Sequence, residues 1–562
     1  MGRAVTQRRR VNDEAVAGTG MVVAKQPAAA HAGVDVLERG GNAVDAAVTA
    51  AFVTGVVLPL ATGIGGGGYL VFHEAATGTT HIIDYALCAP LAAHERMYDL
   101  EPGGGFATAQ GWRRVRGDAN WHGWQSMAVP GNVAGLALAL ARFGTISLAE
   151  ALAPAIALAE EGFEISDEVL HTIVNDWALI SRYPSSAALL TDQGRPRKVG
   201  ERLRNPALAR TLRRLAEAGA DDFYHGQIAR EIVADMEEGG GLLTAADLAA
   251  YRVRTPEPLA STYRGVALYG PPGASGAITV FETLQILEGF DLRALGYGSP
   301  EALHVWIEAS RLAFADRAHY VADPEVVDAP WRGLLAPEYA AARRRLIGRR
   351  AAARYKAGDP WPLEGRPRPA VRYAPSHPWG MGGTAHVGVV DGRRNVVSLT
   401  DTLVGWSGVV LPRTGIVMNN GMTWFDPEPG HAASIAPGKR GVSNMAPVIG
   451  LRGGVPWLSV GARGGRRIIG TVAQVLSNLI DQGMGMQEAI SAPDLDCSQP
   501  VTHLDARLGE PARAALEARG HRVALVPGRA GASAGGILIA PPAGRLHGGE
   551  SPEGEGVAVG YD

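Results

Sequence analysis

The sequence has few cysteines and no long apolar run, and each shortage excludes a class of protein. Its 562 residues include only two cysteines, Cys88 and Cys497, which excludes a disulfide framework and a cysteine-based zinc site. The longest apolar stretch, residues 46–61, is too short to span a bilayer. The N-terminal arginines are not followed by an apolar run, so we expect no secretory signal, no membrane partner and a cytoplasmic protein.

An excess of charge of one sign is also lacking. The chain has 53 Lys and Arg against 56 Asp and Glu, for a net charge of −3. No stretch forms a basic stripe, so we expect no nucleic-acid partner. No spacing of His, Asp and Glu is typical of a metal site, and we therefore predict neither a metal nor a cofactor.

The composition is that of a globular protein with many short elements. Apolar residues make up 46% of the chain, and its 74 glycines and 36 prolines are dispersed, which indicates tight turns rather than one low-complexity linker. Apolar periodicity predicts helices over 28–39, 42–57, 300–317 and 466–481. Strand-like patterns cover 384–390, 395–403, 414–418 and 455–460.

One stretch, residues 345–383, differs from the rest. It is rich in Arg, Pro and Gly and has no usable period, so we expect an exposed, flexible linker. The pattern changes at 383/384, where a strand begins with a hydroxyl residue. We therefore divide the chain into residues 1–383 and 384–562, which together form one catalytic domain.

The Gly383-Thr384 bond has the chemistry of a self-cleaving N-terminal nucleophile. The threonine hydroxyl attacks the unhindered glycine carbonyl, an N→O acyl shift follows, and hydrolysis frees a new N-terminus. The freed amine, with an ordinary pKa of about 7.7–8.0, then acts as the base for its own hydroxyl. A Gly-Thr dipeptide by itself, however, more often marks a simple turn into a strand than a self-cleavage site.

The Gly464-Gly465 pair lies between a predicted strand and a predicted helix. Backbone N–H groups at a helix N-terminus can hold a developing oxyanion, although a tight turn is the commoner use of two glycines. The run GIGGGG at 63–68 is different. It lacks the Lys-Ser/Thr of a phosphate-binding loop and does not match a dinucleotide fingerprint.

Over nearly its whole length the sequence resembles the γ-glutamyltranspeptidase family. The resemblance implies an α+β fold of four αββα layers, of the N-terminal nucleophile (Ntn) hydrolase type. It also implies self-processing before the Thr of the TxH strand, and transfer or hydrolysis of an acyl group from an amide. The matching motifs are RGGNAVDAAV (39–48), TGIGGGGY (62–69), VPGNVAGL (129–136), LAPAIALAEEGFEIS (152–166), LTAADLAAYRVR (243–254), PPGASGAI (271–278), TAHVGVVD (384–391), VVSLTDTL (396–403), GKRGVSNMAPVI (438–449) and GARGGRRI (461–468).

The resemblance assigns roles residue by residue. The family's nucleophile falls on Thr384, and its supporting threonine falls on Thr402. The oxyanion glycines fall on Gly464-Gly465. The Ser-Ser pair that helps to bind the donor's carboxylate falls on Ser443-Asn444, so the first hydroxyl is kept and the second becomes an amide.

Three positions depart from the family pattern. The arginine that binds the γ-glutamyl head group is Ala86 here, the asparagine after the supporting threonine is Val404, and the acid that receives the substrate ammonium falls near Trp424. A buried ammonium and carboxylate without partners are costly. We therefore expect a rebuilt pocket and a substrate that is not a standard γ-glutamyl donor. If the correspondence shifts by a residue or two, Asp426 or Glu428 replaces the missing acid.

Three further side chains are candidates near this chemistry. Arg463 directly precedes the oxyanion glycines and is a candidate to grip a substrate carboxylate, with a structural arginine as the alternative. Trp406, like Trp424, is a candidate wall of the acyl pocket or a core residue. His386 lies on the same strand face as Thr384 but is expected to be a core histidine, because the mechanism already has its base.

The sequence thus predicts a self-processing threonine amidohydrolase of this family. Its two fragments stay together as a heterodimer, with a dimer of such heterodimers as an alternative, and its substrate is a small-molecule amide. Three alternatives stay open: a true γ-glutamyl hydrolase or transferase with a rebuilt head-group site, an acylase for a dicarboxylic monoamide or a side-chain-acylated lactam, and a non-catalytic binding protein.

Overall fold

Two β-sheets form the centre of the molecule in the computed structural model, which describes residues 13–102, 112–369, 383–540 and 544–562. The strands of the described residues, in chain order, are β1 (Ala15–Ala17), β2 (Gly20–Ala24), β3 (Gly67–Glu74), β4 (Thr79–Tyr85), β5 (Phe163–Glu164), β6 (Thr191–Asp192), β7 (Arg195–Pro196), β8 (Arg202–Leu203), β9 (Leu259–Tyr263), β10 (Val266–Gly270), β11 (Gly383–Val390), β12 (Val396–Val404), β13 (Val448–Arg452), β14 (Val455–Arg463), β15 (Leu495–Asp496), β16 (Thr502–Asp505), β17 (Val523–Val526), β18 (Ser533–Ala540), β19 (Arg545–Glu550) and β20 (Val557–Tyr561).

Helices cover the outer faces of both sheets. In chain order they are α1 (Pro27–Glu38), α2 (Ala43–Val57), α3 (Asn132–Phe143), α4 (Leu148–Glu161), α5 (Asp167–Asn175), α6 (Trp177–Ile180), α7 (Pro184–Leu190), α8 (Pro206–Ala218), α9 (Asp221–Tyr224), α10 (Gln227–Gly239), α11 (Ala245–Ala250), α12 (Ala277–Leu287), α13 (Leu292–Leu295), α14 (Pro300–Tyr320), α15 (Trp331–Leu334), α16 (Pro337–Arg344), α17 (Arg467–Ile480), α18 (Met486–Ser491) and α19 (Gly509–Ala518). No helix in the described ranges is long and apolar enough to cross a membrane.

The two large sheets stack face to face. One has the order β1-β19-β18-β14-β13-β10-β9 and the other β20-β2-β11-β12-β3-β4. The apolar core between them includes Val71, Val396 and Ile537. The outer face of the second sheet packs on α1 and α2, and that of the first packs on α12 and α17. The predicted α+β fold of four αββα layers is confirmed, because each sheet buries one face against its partner and the other against helices.

Strands from both sides of residue 383/384 alternate within the sheets. In the second sheet β2 lies between β20 and β11, and β12 lies beside β3. In the first sheet β1 pairs with β19, and β10 pairs with β13. The two predicted fragments therefore share both sheets, which supports the expectation that they stay associated.

Most predicted elements are present, and one is not. The helix predicted over 42–57 is α2, which begins with a capping box between Asn42 and Asp45. The strand predicted over 414–418 is wrong. Those residues form a turn with Leu411, whose N–H donates to the Ile416 carbonyl and whose carbonyl accepts from the Gly415 N–H. The backbone carbonyl of Thr414 accepts a hydrogen bond from the Thr211 hydroxyl of α8. Local hydrogen bonds and α8 thus replace a sheet partner.

The predicted linker is exposed over much of residues 345–369 but is not free of contacts. Glu308 of α14 accepts hydrogen bonds from Ala352 N (3.0 Å) and the Tyr355 hydroxyl (2.5 Å). The Tyr320 hydroxyl donates to the Gly358 carbonyl at 2.7 Å. The first part of the linker is therefore anchored along α14, whereas residues 370–382 lie outside the described residues.

Candidate active site

The strand pair β11–β12 brings the two predicted threonines together. The register pairs Ala385 with Asp401 and His386 with Thr400, and it is interrupted between Gly383 and Ala385. The Oγ1 atoms of Thr384 and Thr402 lie 3.2 Å apart, and both side chains are buried. Adjacent antiparallel strands thus place two hydroxyls eighteen residues apart in sequence on one face.

Both hydroxyls contact the carbonyl oxygen of Gly383. The Thr384 Oγ1 lies 2.6 Å from that oxygen, and the Thr402 hydroxyl donates a hydrogen bond to it. The backbone N–H of Val404 in turn donates to the Thr402 Oγ1 at 2.7 Å, which orients this hydroxyl toward the carbonyl. A donor fixed on a carbonyl oxygen favours the charge that develops there during nucleophilic attack.

The backbone changes direction sharply after Thr402. Val404 has φ of +71° and Trp406 has φ of +114°, values that non-glycine side chains rarely adopt. Such strain persists only where the surroundings fix it. Trp406 is fixed by its core packing and by a 2.8 Å hydrogen bond from its Nε1 to Asp176, so it is a core residue and not part of the cluster that holds Trp424.

The predicted oxyanion glycines connect β14 to α17. Gly464 and Gly465 have φ of +134° and +64°, and a Cβ on Gly464 would lie 3.0 Å from that of Ala532. Glycine is required by this conformation and by this close approach. In the first turn of α17 the N–H groups of Ile468 and Ile469 donate to the Gly465 and Arg466 carbonyls, at 3.2 and 3.3 Å. The N–H groups before them lie outside the helical ladder, as an oxyanion site needs. No hydrogen bond links the glycine pair to Thr384 among the described residues.

The Ser443-Asn444 pair is held by a buried arginine that the sequence analysis missed. Arg317 of α14 donates to the Ser443 carbonyl at 2.7 Å and to Asn444 Oδ1 at 3.0 Å. Burial lowers the pKa of Arg317 to about 10. The Ser443 Oγ accepts from Met445 N at 3.1 Å. The sequence signal for Arg317 was the presence of a charged residue within the apolar stripe of α14.

A second buried arginine directly follows the glycine pair and was also missed. Arg466 packs on the Phe314 ring, 5.0 Å from its centroid, and its Nη1 has no hydrogen-bond partner among the described residues. Burial, and then repulsion by Arg317, lowers the pKa of Arg466 to about 9. Two buried guanidinium groups therefore act on each other near the glycine pair, and the Asp496 charge acts on Arg466 in the opposite direction.

The three departures from the family pattern lie in one apolar cluster. Ala86, Val404 and Trp424 are all buried in it. The other buried members are Tyr69, Leu87, Ala89, Ala93, Tyr98, Val115, Ala128, Met422, Phe425, Ile435 and Met445. The structure thus brings together three residues that are far apart in sequence and surrounds them with apolar side chains.

Arg463 does not present a free guanidinium to the site. It forms an ion pair with Glu168 of α5, and both side chains are mostly buried. Nearby, Lys25 pairs with Glu550 at 3.0 Å, and burial followed by repulsion from Arg463 lowers the pKa of Lys25. A mostly buried arginine needs a counter-charge, and Glu168 supplies it, which favours the structural alternative for Arg463.

His386 and the two alternative acids have their own partners. His386 Nδ1 lies 2.9 Å from the Thr400 hydroxyl, and burial lowers the pKa of His386 to about 3, so the ring is neutral, as expected of a core histidine.

The Asp426 carboxylate forms a hydrogen bond with the His431 ring, and Glu428 forms an ion pair with Arg113 at 3.3 Å. The side-chain atoms of Asp426, Glu428 and His431 that could bind a metal ion lie within 4.8 Å of one another, and each acid has a partner within the protein.

Comparisons with known proteins show what the chain is similar to. The family model described as gamma-glutamyltranspeptidase matches residues 29–561. The chain is 40% identical over 516 residues to the acylase ACY 1 proenzyme of Pseudomonas sp. (strain SE83), covering 91% of this chain and 88% of that protein. It is 34% identical over 549 residues to the glutathione hydrolase proenzyme of Escherichia coli (strain K12), covering 95% and 90%. The cephalosporin acylase from Bacillus halodurans has a similar structure, with a TM-score of 0.86, 28% identity, and coverage of 100% of this chain and 99% of that chain.

Proposed function

Because the chain belongs to the γ-glutamyltranspeptidase family, we propose that it is a self-processing acylase whose nucleophile is Thr384. One observation carries this proposal. The hydroxyls of Thr384 and Thr402 both lie on the Gly383 carbonyl oxygen, at the start of the strand where cleavage would expose a new N-terminus.

Self-cleavage would proceed through an ester. The Thr384 Oγ1 attacks the Gly383 carbonyl carbon, the peptide C–N bond breaks, and the hydroxyl proton moves to the leaving amine. Water then hydrolyses the ester and releases the Gly383 carboxylate. The products are fragments of 383 and 179 residues. Thr402 stabilises the developing negative charge on the carbonyl oxygen.

The freed α-amine of Thr384 then serves as the base for substrate cleavage. It takes the proton of Oγ1 as this oxygen attacks the substrate amide, and the N–H groups of Gly464 and Gly465 stabilise the tetrahedral oxyanion. The proton passes to the leaving amine, and an acyl-enzyme remains. Water, or an acceptor amine, resolves the ester and restores the nucleophile.

The apolar cluster favours an acyl group without an α-ammonium. Burying an unpartnered polar group costs roughly 2–7 kcal/mol, and Ala86, Val404 and Trp424 offer no partner to one. The two buried arginines near the glycine pair, Arg317 and Arg466, favour a substrate that carries a carboxylate, such as a dicarboxylic monoamide or a side-chain-acylated lactam. The names of the acylase ACY 1 and cephalosporin acylase relatives support this preference.

A γ-glutamyl hydrolase is the second candidate, supported by the 34% identity to the glutathione hydrolase proenzyme of Escherichia coli. The test is intact mass and N-terminal sequencing of the purified protein, followed by turnover of a glutaryl anilide and a γ-glutamyl anilide. We expect a 179-residue fragment that begins TAHVGVVD, and faster turnover of the glutaryl compound.

Faster turnover of the γ-glutamyl anilide would favour the second candidate. A single uncut chain after long incubation, without activity on either compound, would favour the non-catalytic binding protein. An uncut but active chain would contradict the proposed nucleophile, because no free α-amine would then be available to Thr384.

A further inference from the structure

Asp401 lies between Thr400 and Thr402 on β12, but its side chain points to the opposite face of the strand. There it is buried, with 1% of its surface exposed. Its carboxylate accepts hydrogen bonds from the Thr62 hydroxyl at 2.8 Å and from Asn132 Nδ2 at 3.3 Å. Asp401 therefore joins the strand of the supporting threonine to the glycine-rich loop of residues 61–68.

The glycine-rich loop is tied to the start of α3 by the same asparagine. Asn132 Nδ2 donates to the Gly63 carbonyl at 2.6 Å. The backbone N–H groups of Gly131 and Asn132 both donate to the Gly66 carbonyl, at 2.8 and 3.0 Å. The loop is thus held by α3 on one side and by Asp401 on the other.

The glycine-rich loop packs directly on the scissile region. The Leu403 N–H donates to the Ala61 carbonyl at 2.9 Å. A Cβ on Gly66 would lie 2.3 Å from the Thr402 carbonyl oxygen, and one on Gly383 would lie 3.0 Å from Ala61 Cα. These are backbone contacts too close for any side chain to intervene, so a shift of the loop moves Gly383 and Thr402.

Every element around Asp401 presents a neutral group to it. The loop offers Thr62, α3 offers Asn132, β3 offers Gly68, and β4 offers the buried hydroxyl of Tyr85, whose pKa is raised by burial and then by the Asp401 charge. No described cation acts on the carboxyl, and burial raises the pKa of Asp401 to about 7. The carboxylate is therefore held by neutral donors: Thr62, Asn132 and its own backbone N–H.

We propose that Asp401 is a positioning residue for self-cleavage, which holds the glycine-rich loop against Gly383 and Thr402 through Thr62 and Asn132. The inference rests on the proposed function. The ionised carboxylate accepts from both donors, whereas protonation of one oxygen removes an acceptor. Self-cleavage therefore slows as the pH falls through about 7.

The test follows self-cleavage of the full chain, made by cell-free synthesis, from pH 5.5 to 9. Asp401→Asn keeps the shape of the side chain but offers one acceptor in place of two. We expect cleavage about tenfold slower at pH 8, as for loss of a hydrogen bond to a charged group, and no inflection near pH 7. Thr62→Val should also slow cleavage, while Thr62→Ser, which keeps the hydroxyl, should not.

The melting temperature separates positioning from a merely structural role. A carboxyl whose folded pKa is raised loses stability as the pH rises from its unfolded pKa of about 4 to its folded pKa, so its replacement by Asn should not lower the melting temperature at pH 8. A large drop in melting temperature together with slow cleavage would overturn the proposal in favour of a structural role.

The other outcomes are also decisive. A wild-type chain that never cleaves contradicts the proposed function itself. A wild-type chain that cleaves, with an Asp401→Asn variant of the same rate and pH profile, contradicts only the role of Asp401. If Asp401→Asn does not fold, Thr62→Val against Thr62→Ser decides, and equal cleavage by these two variants contradicts the proposal.

Discussion

The threonine pair and the apolar cluster meet at β12 but are built in different ways. Thr384 and Thr402 are fixed by the backbone register of two neighbouring strands. Ala86, Val404 and Trp424 come from the loop after β4, the end of β12 and the turn Gly421–Trp424. Under the proposed function, the bond-breaking chemistry depends on the register of the sheet, whereas substrate choice depends on side chains at a strand end and in loops, and loop residues change readily.

The largest expected effect breaks the threonine pair. Thr384→Ala should abolish self-cleavage and lower activity by roughly 10⁴-fold or more, since both the nucleophile and the base are lost. Gel electrophoresis and turnover of the glutaryl anilide measure the two effects. Thr384→Ser, which keeps a hydroxyl, is the matched control, and cleavage of the alanine variant at the same bond would contradict the assignment.

The next effect comes from a charge placed in the apolar cluster. Ala86→Arg should destabilise the protein by roughly 3–5 kcal/mol, because Ala86 has no exposed surface and the neighbouring acid, Asp84, is already paired with Arg440. Denaturant unfolding measures the loss. Combining it with Trp424→Asp should recover part of the stability and raise γ-glutamyl turnover relative to the glutaryl compound. An Ala86→Arg variant of unchanged stability would show that this position is not enclosed.

Removal of the supporting hydroxyl has a smaller effect that is specific to cleavage. Thr402→Ala should slow self-cleavage about 10²-fold, as for loss of one oxyanion donor, without abolishing it. Time courses of the 383- and 179-residue fragments measure the rate. Thr402→Ser should retain most of the rate, and an alanine variant as fast as wild type would remove Thr402 from the mechanism.

The smallest effect tests Arg463. Arg463→Gln should cost about 1–2 kcal/mol of unfolding free energy, because Glu168 loses its partner in a mostly buried pair. The KM for the glutaryl anilide should stay within about twofold of wild type. Glu168→Gln is the matched control, with a similar loss of stability. A tenfold rise in KM for Arg463→Gln alone would restore Arg463 as a substrate-binding residue.

Local patterns predicted the elements that carry the chemistry. The alternation of β11 and β12 and the apolar stripe of α17 are visible in sequence, and family motifs placed Thr384 and Thr402. The partners of buried polar groups were not predictable in this way. Asp401 and Asn132 are 269 residues apart, and Arg317 contacts a residue 127 positions later. Such pairs follow from the packing of distant segments, which has no local period.

The interleaving of strands has a consequence for assembly of the mature molecule. Without residues 384–562, β2 would lose both of its neighbours, β20 and β11, and the bare edges of that strand would invite association with other chains. Cleavage before residue 384 therefore avoids exposing unpaired strand edges only if both sheets have already formed. Fragments that are produced separately should therefore aggregate rather than reassemble. The topology of the two sheets thus requires the chain to fold before it is cleaved.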